Sequence, residues 1–75
     1  MDFYGHVREL ARQLQLAGID EAAQGLEDVT SDGSTGGEIL MGVRYHLQIL
    51  VQSRRAPEFD SQVEEILRYI DSLLP

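Results

Sequence analysis

Stepping residues at 100° from Phe3 gathers Phe3, Val7, Leu10, Ala11, Leu14 and Ala17 on one face, with Arg8, Glu9 and Arg12 opposite. The chain therefore opens on an amphipathic helix. Asp2 stands where a side-chain oxygen caps its start, and Ala17 with Gly18 supplies a stop. Ile19 and Asp20 then read as the staple and cap of a second, shorter helix whose apolar positions are Ala22, Ala23, Leu26 and Val29. Small side chains bury little area, so this helix is expected to be the least stable element. From Thr30 to Gly37 the chain reads TSDGSTGG, without a hydrophobic side chain, and predicts an exposed loop.

A third helix follows. Thr35 with Glu38 three residues later fits a capping box, and Ile39, Leu40, Val43, Leu47 and Leu50 share one face. Met41, Tyr45, Ile49 and Val51 fall outside that stripe, so this helix is either central in the bundle or covered by a partner. Ser53 to Pro57 forms the next connection, Pro57 suiting a first helical turn and Ser61 with Glu64 offering a further capping box. Beyond it Phe59, Val63, Ile66, Leu67, Ile70, Leu73 and Leu74 cluster on one side of a last helix. No β-alternation, repeat or linker competes. The expected fold is a single all-α domain over residues 1–75, a four-helix bundle with a short second helix.

Charge narrows the function. The 75 residues hold 13 acids and 6 bases, a net charge of −7, which argues against nucleic acid because phosphate neutralisation needs clustered Lys and Arg. The same balance is wrong for an anionic membrane surface, and no apolar run approaches the roughly 20 residues of a spanning helix. With no cysteine and no basic, apolar leader in MDFYGHVREL, the expectation is a cytoplasmic protein without disulfides or thiolate chemistry. Asp20, Glu21, Glu27, Asp28, Asp32 and Glu38 lie in a stretch without a basic residue between Arg12 and Arg44. Such a field raises the encounter rate with a basic partner.

Metal, catalytic and histidine chemistry compete poorly with a binding role. Asp28, Thr30, Asp32 and Gly33 occupy the first, third, fifth and sixth positions of an EF-hand loop, but the twelfth is Ile39, and Glu38 sits one residue early. Serines and two histidines are present, yet no nucleophile elbow or phosphate cradle is, so neither enzyme activity nor a metal or other cofactor is expected. His6 and His46, without the spacing of zinc ligands, read as packed or edge residues. Met41 and Tyr45, four residues apart, instead suit the apolar centre of an interface with an acidic rim.

In length, acidity, helical layout and lack of cysteine the chain resembles acyl carrier proteins, whose prosthetic-group serine follows an aspartate directly. Here Asp32 and Ser34 are separated by Gly33, and Thr35 stands in place of the leucine that follows. On its overall character and the segment GSTGGEILMGVRYHL, the chain resembles the small acidic helical immunity proteins of bacterial toxin–immunity systems. In size and charge it is similar to the four-helix immunity proteins of nuclease colicins, whose Asp-Tyr-Pro-Ser motif is absent here, so no family residue is carried over. The resemblance implies stoichiometric inhibition of a basic toxin domain, with Asp20, Glu21, Glu27, Asp28, Asp32 and Glu38 steering and Met41 and Tyr45 anchoring. The alternatives are a carrier modified on Ser34 and a homodimeric structural protein joined through Met41 and Tyr45.

Overall fold

The computed structural model describes residues 2–31 and 35–74. Four α-helices follow one another: α1 (Phe3–Leu16), α2 (Asp20–Ser31), α3 (Gly36–Ser53) and α4 (Asp60–Leu73), with a 3-10 turn at Pro57–Phe59 leading into α4. No strand occurs among the described residues, and the fold is a small all-α bundle.

Local chemistry sets each boundary. Asp2 Oδ1 accepts from the Gly5 N–H at 3.1 Å, satisfying one of the free donors at the start of α1. At the other end the Ile19 N–H donates to Leu14 O (2.9 Å) and the Gly18 N–H to Gln15 O (3.0 Å). These are the paired bonds of a Schellman turn, whose left-handed residue is Gly18 at φ +82°. Asp20 and Glu21 then occupy the first turn of α2, where the helix dipole favours negative charge.

The predicted loop is shorter than TSDGSTGG suggests. Thr30 and Ser31 continue α2, and Gly36 and Gly37 already belong to α3. The Thr30 hydroxyl donates to Leu26 O (2.9 Å) and that of Ser31 to Glu27 O (2.6 Å). Turn-forming side chains here bond back onto the helix they follow. At 12 residues α2 is the shortest of the four α-helices, as expected, against 14 for α1 and α4 and 18 for α3.

The Thr35–Glu38 capping box forms as expected: the Glu38 N–H donates to Thr35 Oγ1 (3.3 Å) and the Thr35 N–H to Glu38 Oε1 (3.2 Å). Arg54 closes α3 in the left-handed region at φ 55°. The further box expected at Ser61 and Glu64 does not start α4, because Pro57 begins a 3-10 turn and the helix opens at Asp60 without a side-chain cap.

The core gathers Phe3, Val7, Leu10, Ala11 and Leu14 from α1, Ala23 and Leu26 from α2, Ile39, Val43, Leu47 and Leu50 from α3, and Val63, Ile66 and Ile70 from α4, with Ala56 beneath the connection. Each fully buried Leu or Ile contributes about 1.5–3 kcal/mol relative to exposure. Two expected core positions lie outside: Ala17 is exposed because the chain turns there, and Leu73 is 53% exposed at the end of α4. Phe3 stacks on Tyr69 at 5.6 Å, tying the start of α1 to the last turns of α4.

Helices α2 and α3 run antiparallel, since Gly25 of α2 faces His46 of α3 while Val29 faces Gly42. A Cβ on Gly25 would stand 2.6 Å from His46 Nδ1, and one on Gly42 2.6 Å from Val29 Cγ1. Both glycines let the backbones approach closely.

Candidate partner-binding site

The apolar residues outside the central stripe of α3 remain uncovered. Met41 is 52% exposed, Tyr45 61% and Ile49 46%, and their i, i+4, i+8 spacing aligns them along one edge of the helix. An exposed row of this kind on a rigid helix is a surface suited to recognition.

Beside this edge, where the start of α2 leans on the second half of α3, an open groove of about 740 Å3 is bounded by Ile19, Ala22, Tyr45, His46, Ile49 and Leu50. Asp20 and Glu21 line it from the first turn of α2, Ser53 from the end of α3, and Gly18 and Arg55 from the connecting turns. His46 is half-buried, its ring set edge-on to Tyr45 at 5.3 Å with an interplanar angle of 76°, so it backs the tyrosine rather than standing free.

The sequence-predicted residues separate in space. Asp20, Glu21 and Tyr45 share the groove, with Met41 one turn further along the α3 edge. Glu27 lies elsewhere, in a depression shared with Arg8, Thr30 and Ser31. The charge isolation of Asp20 to Glu38 is therefore a property of the chain order more than of the surface, because Arg8 lines the Glu27 depression and Arg55 lines the groove beside Asp20 and Glu21. Asp28 Oδ1 accepts from Gln24 Nε2 at 2.8 Å. Glu38 is engaged in its own cap, where the Thr35 hydroxyl, then the Thr35 N–H, lowers its pKa below the ordinary 4.5. Asp32 and Ser34 lie outside the described residues.

Ile19, Ile49, His46 and Arg55 complete the groove, although the sequence pattern does not mark them as a site. Ile49 is the most legible of these, standing one turn beyond Tyr45 on the same edge. Ile19 and Arg55 come from opposite ends of the sequence segment and meet only through the antiparallel pairing of α2 and α3.

The other candidates can be placed on the fold. Asp28 and Thr30 lie on helix α2, where an EF-hand loop would need irregular backbone, and among the described residues no group of three or more His, Asp or Glu side chains is placed to hold a metal ion. Of the described helices, none is long and apolar enough to cross a membrane. His6 Nδ1 lies 2.8 Å from Asp2 O within the first turn of α1. Compared with known proteins, the chain matches no family model, no curated protein and no solved structure.

Proposed function

We propose that this chain is a non-enzymatic binding module that neutralises a basic toxin domain by stoichiometric occupation of its surface, in the manner of bacterial immunity proteins. One observation carries the reading: Met41, Tyr45 and Ile49 stand uncovered on α3 beside a groove that Asp20 and Glu21 line. An aromatic held on a rigid helix loses little conformational freedom on binding, which makes it a good anchor. The net charge of −7 supplies the long-range attraction toward a basic partner.

The roles divide accordingly. Asp20 and Glu21 act at the interface, while Glu27, Asp28, Asp32 and Glu38 contribute to the general field. Native mass spectrometry of the tagged chain, recovered from the cells that make it, tests this directly. The expected result is a one-to-one complex with a basic polypeptide. An unbound chain carrying a phosphopantetheine mass on Ser34, or an unmodified homodimer, overturns the reading.

A further inference from the structure

We propose that the α2–α3 groove seats a short amphipathic helix of the partner, its apolar side chains at i and i+4 resting on Tyr45, Ile49 and Ile19 and a Lys or Arg on its flank reaching Asp20 and Glu21. This deepens the proposed function and rests on it.

Backbone chemistry selects a helix as the occupant. Both walls of the groove are helices, so the groove offers no strand edge to an extended peptide. An extended chain would leave those of its N–H and C=O groups that face the apolar walls without partners, whereas a helix arrives with them satisfied. The exposed edge fits in length as well. From Met41 to Ile49 the rise of 1.5 Å per residue spans about 12 Å, a little over two helical turns.

Charge selects the flank. Asp20 and Glu21 are exposed, and neither takes part in an ion pair among the described residues, where the two pairs are Arg12–Glu9 and Arg44–Asp71. A second copy of this chain would bring the same two carboxylates within a net charge of −7, so self-association is opposed where a basic helix is attracted. Arg55 also lines the groove, whose acidic groups are Asp20 and Glu21 at the first turn of α2, so the basic residue of the occupant lies beside α2.

The probe is a displayed library of random 16-residue peptides, selected on the immobilised full chain and followed by fluorescence anisotropy of the enriched peptides. The expected consensus has two apolar residues at i and i+4 and a flanking Lys or Arg. Tyr45→Ala and the pair Asp20→Lys with Glu21→Lys should each weaken binding about tenfold or more, because anchor and charge partner are lost. Glu65→Lys, an equal change of charge on α4 beside α1 and outside the groove, should leave affinity within about twofold. All these positions are exposed, and unchanged circular dichroism verifies the fold. No enrichment, a consensus without basic residues or without the helical spacing, or indifference to Tyr45→Ala each overturns the proposal. If native mass spectrometry still yields a one-to-one complex with a basic chain, only the helix-in-groove inference fails; if it yields none, the wider reading fails.

Discussion

Gly42→Ala should destabilise this bundle, although alanine is the better helix former. In an open helix the exchange gains about 1 kcal/mol. Here the new Cβ would lie 2.6 Å from Val29 Cγ1 and 3.1 Å from Val29 Cγ2, roughly 1 Å inside the optimal carbon–carbon separation of about 3.5–4.0 Å. Val29 cannot easily swing aside, because a β-branched side chain in a helix has one strongly preferred rotamer. Relief requires α2 and α3 to separate, and overpacking of this kind costs about 1–3 kcal/mol. The net loss is therefore about 0–2 kcal/mol, centred near 1.

Urea unfolding followed by circular dichroism at 222 nm measures it. In a Val29→Ala background the obstacle is gone, and the same Gly42→Ala exchange should become stabilising by up to about 1 kcal/mol. The coupling between the two sites is then about 1–3 kcal/mol, which a double-mutant cycle isolates. If Gly42→Ala raises the midpoint in the Val29 background, the close approach of α2 and α3 is refuted.

Other outcomes are as definite. Gly18→Ala should cost about 1–2 kcal/mol, since φ +82° suits only a residue without Cβ, and an unchanged urea midpoint would refute the Schellman turn. Arg54→Gly should stabilise by about 0.5–1 kcal/mol by relieving the left-handed backbone at φ 55°, visible as a raised thermal midpoint; a fall would mean that the arginine side chain outweighs its backbone cost. Glu9, held by hydrogen bonds from the Arg12 guanidinium and then from Gln13, has its pKa lowered from 4.5 to about 2. Its contribution is fully present above the ordinary carboxylate pKa and is lost as pH falls through that window toward 2, and that of Glu38, whose pKa is also lowered, is lost in the same direction. Water and salt screen so exposed a pair, so the effect is small. Glu9→Gln should flatten the acid limb of stability against pH at low salt, and an identical limb would contradict the pairing.

Periodicity carries most of the architecture. The stripes of α1, α3 and α4 are legible in the sequence because each buries one continuous face, and large apolar side chains repeating every 3.6 residues fit a one-sided helix and little else. The extent of α2 is not legible. Thr30 and Ser31 favour turns in isolation, and only their bonds to Leu26 O and Glu27 O show that they extend the helix. The site divides along the same line. Met41 and Tyr45 can be recognised from one helix alone, whereas the grouping of the acids depends on which face of α2 each occupies. Glu27 turns toward Arg8 and Glu21 toward Tyr45, a distinction that emerges only when α1 and α3 are in place.

For the proposed complex the Schellman turn has a thermodynamic consequence. Ile19, fixed in that turn by its bond to Leu14 O, is also part of the groove wall, so the corner between α1 and α2 is already set before anything arrives. A surface shaped in advance spares the complex the entropy of ordering a loop. The heat-capacity change on complex formation should then follow from the apolar area covered at the interface, without the large excess that accompanies coupled folding. Gly18, which has no side chain to offer a ligand, would thus govern affinity through the order of the unbound molecule.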